Sequence, residues 1–112
     1  MRSLLFVVSL LAGTALASAG ECFRYEEPVT LAGTYRLAIL PGPDKPESVA
    51  LFDLGQPLCT LADDTFDGAE NVSTVQLAGC PAGSNGSHAS LTGALFAAHT
   101  GHHHTDVLLG CP

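Results

Sequence analysis

Along most of this chain apolar and polar residues alternate in short runs, with no sustained 3.6-residue period, as in strands that bury one face. Val29 to Leu40 alternates around Leu31, Tyr35, Leu37 and Ile39, and Gly33 inside it marks a bend or bulge. Pro41-Gly42-Pro43-Asp44-Lys45-Pro46 ends the run, because proline has no N–H for a strand ladder. Ser48 to Leu54 is the second run, with Val49, Leu51 and Asp53 on one face and Ala50, Phe52 and Leu54 on the other. Gly55-Gln56-Pro57 breaks it, and Leu58 to Leu61 is a short extension. In the third run, Val72 to Ala78, the residues Val72, Thr74, Gln76 and Ala78 face opposite to Ser73, Val75 and Leu77. Ala89 to Ala97 and His104 to Leu109 complete a C-terminal hairpin. No internal repeat and no long amphipathic helix is legible. Five short strands predict an all-β fold, a small five-stranded barrel that is OB-like or SH3-like.

The connections add little chemistry. Ala62 to Asn71 carries Asp63, Asp64, Asp67 and Glu70 without the alternate spacing or the closing glutamate of an EF-hand, so it reads as a solvated acidic loop. Gly79 to His88 is a Gly- and Ser-rich loop. Ser84 and Ser87 beside His88 resemble a nucleophile and base, but neighbours in such a loop are not preorganised for catalysis. Asn71-Val72-Ser73 and Asn85-Gly86-Ser87 fit the glycosylation acceptor pattern, which matters only in a eukaryotic secretory pathway.

The N-terminus has the parts of an export signal: Arg2, an apolar run from Leu4 to Leu16, and small residues ending in Ala17-Ser18-Ala19. Met1 to Ala19 is therefore expected to be removed, leaving a single β-barrel domain over residues 20–112 of a periplasmic or secreted protein. The apolar run is interrupted by Ser9, Gly13 and Thr14 and falls short of the roughly 20 residues of a membrane anchor. A domain of this size buries too little surface to be secure without a staple. All four cysteines, Cys22, Cys59, Cys80 and Cys111, lie beyond the signal, an even number that points to two disulfides in an oxidising compartment. Three connectivities are open. The first hairpin brings Cys22 and Cys59 toward its open end, so Cys22 with Cys59 and Cys80 with Cys111 are the preferred pairs.

Beyond the signal only Arg24, Arg36 and Lys45 oppose eleven acidic residues. Phosphate backbones are bound through clustered Lys and Arg, so neither nucleic acid nor an anionic membrane surface is expected as a partner. A cation, a basic protein or an uncharged small ligand fits the charge, and the chain is expected to be a monomer.

Several segments together resemble a bacterial domain of unknown function found in small exported proteins. They are Leu31-Ala32-Gly33, Pro41-Gly42-Pro43 with Glu47-Ser48, Leu54 to Cys59, Val75-Gln76-Leu77, Leu91 to Phe96, and His99-Thr100-Gly101-His102-His103-His104-Thr105. The resemblance implies the small fold and the exported location, and it implies no activity.

The candidate site is His99-Thr100-Gly101-His102-His103-His104-Thr105-Asp106, four imidazoles beside a carboxylate. Imidazole is the commonest transition-metal ligand, and side chains alternate faces along an extended backbone. The set best placed for zinc or copper is therefore His99, His102, His104 and Asp106. A structural reading is preferred over it: one ring, His103 or His104, packs over the barrel end and hydrogen-bonds a loop carbonyl, while Thr100 and Thr105 satisfy turn amides. A hydrolase would need a nucleophile, a base and an oxyanion hole converging in a pocket, which a barrel of this size has little room to build. The expectation is thus a non-enzymatic binding module, using loops 41–46 and 99–106 to hold a protein or small ligand. The alternative is a transition-metal binding protein.

Overall fold

The computed structural model describes residues 15–16 and 21–112, so the expected signal segment lies outside the described residues except for the backbone of Ala15–Leu16. Among the described residues there are seven strands and no helix: β1 (Ala15–Leu16), β2 (Cys22–Phe23), β3 (Pro28–Pro41), β4 (Pro46–Thr60), β5 (Ala69–Ala78), β6 (His88–Ala97) and β7 (Val107–Gly110). No helix in this set is long and apolar enough to cross a membrane.

The period-two segments become a closed ring. β3 pairs antiparallel with β4 and with β6, β4 with β5, and β6 with β7, while β5 and β7 run parallel and complete the circuit. The ring order β3-β4-β5-β7-β6, with its single parallel pairing, makes a five-stranded Greek-key barrel of the OB kind. Closure pairs the ring strands on both sides, while β3 beyond Thr34 and β4 before Leu51 run on as a two-stranded hairpin paired only to each other. The short strands β1 and β2 lie parallel to β3 and β4, where those two strands part.

β3 serves two neighbours in turn, pairing β6 through Thr34 and β4 from Gly33 onward. Gly33 sits at that handover, and a Cβ there would stand 2.8 Å from the Phe52 ring. The glycine expected to mark a bend is thus a close-packing point in an unbroken strand.

One core fills the ring. Val29, Leu31, Phe52, Leu58, Val75, Leu95, Val107 and Leu109 are almost wholly buried and belong to one cluster. Tyr35 packs edge-on against Phe52 with ring centroids 5.4 Å apart. The buried polar atoms are satisfied: Thr60 Oγ1 donates to the Tyr25 hydroxyl at 3.0 Å and accepts from Ala69 N at 2.9 Å, and Tyr25 donates to Asp67 O at 2.8 Å. That network closes the barrel end on which the acidic loop sits.

Two expectations need correction. Gly55-Gln56-Pro57 does not end the second strand, because β4 continues to Thr60 and the segment is taken up by a register shift between Asp53 and Leu58. Strict alternation over Val72–Ala78 also fails. Val72 and Val75 both enter the core, because β5 spans Thr74 to Val72 while β4 spans Asp53 to Leu58.

Cys22 is bonded to Cys59 and Cys80 to Cys111, across sequence separations of 37 and 31. The first ties β2 to the end of β4. The second joins the start of the loop after β5 to the chain end beside it, where Cys111 N donates to Ala78 O at 3.0 Å. Cross-links closing loops of this length restrict the unfolded chain by about 3–4 kcal/mol each in the chain-entropy model. Replacing Cys80 and Cys111 together by Ala is expected to lower the urea unfolding free energy by about 2–4 kcal/mol; unchanged stability would show that the bridge adds nothing the barrel lacks.

Candidate functional site

Strands of a small barrel with a solvated outer face should carry polar residues there. On this barrel one outward row is largely apolar instead. Leu51, Gln76, Leu108 and Phe96 are successive register partners across β4, β5, β7 and β6. Their chain neighbours Phe52, Val75, Leu109 and Leu95 belong to the interior cluster, so the row faces outward. Nevertheless Leu51 is 4% exposed, Leu108 0%, and Val49, two residues before Leu51, 5%. The connection from β6 to β7 is bonded to Gln76 within this row and to Glu47 near the start of β4, which lays it across these side chains.

Residues 98–106 form a strap closed at its base by Ala98 N donating to Asp106 O at 3.0 Å. The middle is held by Gln76. His104 N donates to Gln76 Oε1 at 2.7 Å, Gln76 Nε2 to His102 O at 3.1 Å, and Gln76 N to Thr105 Oγ1 at 2.9 Å. Thr105 in turn donates to Val107 O at 2.7 Å. At the far end Glu47 accepts from His102 Nδ1 at 2.8 Å with one carboxylate oxygen and from His104 Nε2 at 2.6 Å with the other. Those two bonds hold the Glu47 carboxyl below its usual range, His104 contributing most and His102 next. Glu47 therefore stays ionised, and both imidazoles must donate to it.

His99 and His103 are used differently. Their rings meet edge-on at 4.7 Å, and His103 also lies edge-on to Phe96 at 5.7 Å. His103 Nδ1 accepts from His99 N at 2.9 Å and Thr100 N at 3.3 Å, while His99 Nδ1 donates to Ala97 O at 3.0 Å. Thr100 closes the turn, its hydroxyl accepting from His102 N at 3.1 Å and its carbonyl from His103 N at 3.1 Å.

Of the expected ligand set, the structure brings together His102 and His104 but not all four. His99 turns to its own backbone, and Asp106 is exposed, its carbonyl used to close the strap. Among the described residues no group of three or more His, Cys, Asp or Glu side chains is arranged to hold a metal ion. His103 packs on Phe96 as expected of a structural ring, but its Nδ1 accepts from two strap amides where a bond to a loop carbonyl was expected, while Thr105 accepts from Gln76 N and donates to Val107 O.

Two residues that organise this region, Glu47 and Gln76, were not among the sequence candidates. Their signals were faint but physical. Val107-Leu108-Leu109 is apolar without alternation, and Val49 and Leu51 put apolar side chains on the face opposite Phe52, so both faces of these strands had to be covered. Gln76 is the one polar residue in Val75-Gln76-Leu77.

Magnitudes show what holds the strap. Keeping Val49, Leu51 and Leu108 out of water is worth about 1.5–3 kcal/mol for each side chain fully buried, whereas a surface ion pair gives roughly 0–1 kcal/mol. Apolar burial therefore docks the strap, and Gln76 and Glu47 fix its register.

Residues 74–110 match the family model of a domain of unknown function, DUF4431. The match covers about a third of the chain and takes in the part of β5 that carries Gln76, all of β6, the strap and β7, but not Glu47. No curated protein and no solved structure matches the chain.

Replacing Gln76 by Ala removes two strap bonds and leaves His104 N and His102 O without that partner. The variant is expected to lose about 1–3 kcal/mol in urea unfolding. A loss below about 0.5 kcal/mol would show that the strap does not depend on it.

Proposed function

We propose that the protein is an exported, non-catalytic binding module whose contact surface is the join between loop 41–46 and strap 99–106. The observation that carries this reading is the meeting of two segments more than fifty residues apart. A Cβ on Gly101 would stand 2.9 Å from Pro43 Cγ, and Glu47, just past the first turn, holds both His102 and His104. Two loops that meet on a rigid barrel present one continuous surface. In OB-type barrels the corresponding hairpin loops, with the adjoining strand face, are the usual binding surface; this is an analogy of fold and supplies no ligand.

The immediate surroundings narrow the ligand class. A hollow of about 450 Å³ at the hairpin tip is lined by Ile39, Leu40, Pro41, Gly42, Asp44, Lys45 and Pro46. Lys45 is the lone Lys or Arg there, in a chain of formal net charge −7. A neutral or cationic ligand with an apolar part fits this surface better than a polyanion does. The two disulfides are compatible with the oxidising compartment to which export would deliver the protein.

The test is a chemical-shift titration of the labelled protein with three probes: a neutral oligosaccharide, a basic peptide and a single-stranded oligonucleotide. Saturable shifts at residues 39–47 and 99–106 with one of the first two, and none with the oligonucleotide, are expected. Oligonucleotide binding, shifts centred on residues 79–88, or no saturable binding by any probe would contradict the reading.

A further inference from the structure

The four rings of the strap differ in what they can do with a proton. His102 and His104 donate to a carboxylate and His99 donates to the Ala97 carbonyl, so each keeps its bond when its ring becomes an imidazolium. His103 is the exception. Its Nδ1 is the acceptor for His99 N and Thr100 N, and an imidazolium has no lone pair to offer them.

We propose that the strap is an acid-sensitive device in two parts: protonation of His103 releases the turn 99–101 from Phe96, while the His102–Glu47–His104 clamp stays closed. The charged groups facing His103 all favour this order. Its nearest titratable neighbours are His99, edge-on at 4.7 Å, and His102 and His104 on either side. From β6 it meets the uncharged Phe96 ring, and from β4 the one charged group in the strap's contacts, Glu47, is already engaged by His102 and His104. Burial first, and then the charges of His99, His102 and His104, hold the His103 ring below its ordinary value of 6.5.

The sign follows. A base whose folded value is depressed contributes stability that is complete above its unfolded value, about 6.5, and is lost as pH falls through the lower folded value. Glu47, depressed below its ordinary 4.5, remains charged through that window and keeps its two donors. Acidification therefore frees the Phe96 side of the strap and leaves the Gln76 and Glu47 side in place. The device regulates the surface proposed above, but its operation does not depend on any ligand.

Nuclear magnetic resonance of the labelled protein between pH 7.5 and 5 tests this without a ligand. At pH 7.5 the His103 ring is expected to carry its proton on Nε2. On acidification the His99 and Thr100 amides and the Phe96 ring should shift together, with the midpoint of the His103 ring and below 6.5. The His104 and Gln76 amides should stay in place. Glu47→Gln should keep the His99 and Thr100 transition, and His103→Phe should abolish it. A proton on His103 Nδ1 at pH 7.5 would overturn the proposal, as would His99 and Thr100 amides that stay fixed while His103 titrates. So would a transition that survives in His103→Phe; should that variant fail to fold, the two wild-type measurements still decide.

Discussion

The constraint on which the rest depends is that this barrel is apolar on part of its outside. Leu108 faces away from the core and is 0% exposed, with Leu51 and Val49 nearly as well hidden. Solvent cannot cover such a row without loss, so the chain covers it with its own connection between β6 and β7. Docking fixes where the histidines lie, and only then do their hydrogen bonds acquire a role. Gln76 and Glu47 give the strap a defined register. They do not supply most of the free energy that holds it down.

The closed ring and the disulfides give that face its rigidity. β3 and β4 pair from Gly33 with Leu54 to Pro41 with Pro46, so the hairpin carrying Glu47 and the first turn is one long ladder rooted in the core through Tyr35 and Phe52. The Cys22–Cys59 bond holds the other end of β4, and Cys80–Cys111 holds the chain end after β7. The 41–46 turn and the strap are thereby fixed from both sides.

Much of the barrel was legible from period two and punctuation: Pro41 to Pro46 as a turn, the loop from Gly79 up to the start of β6 at His88, and the opposition of Phe52 to Val49 and Leu51 across β4. Legibility failed where two strands advance unequally. The register shift between Asp53 and Leu58 sends Val72 inward against its parity, and no local pattern encodes the spacing of a partner strand. For the site, the histidine segment was visible, and so was the pairing of His102 with His104; the weak step was adding His99 and Asp106 to that pair. Alternation does hold over the three consecutive histidines, His102 and His104 turning to one side and His103 to the other, but it does not extend through the bend at Thr100 to His99 or on to Asp106. His102 and His104 share a carboxylate 55 and 57 residues away, a pairing that only the tertiary fold creates.

Amide hydrogen exchange at His104 near neutral pH tests the docked strap most directly, since that N–H is bonded to Gln76 Oε1 in the middle of the covered row. Protection comparable to that of the β6 and β7 amides is predicted, because opening it would uncover Leu108. Exchange as fast as that of an unstructured surface loop would contradict the account, and the outer face would then need a different cover.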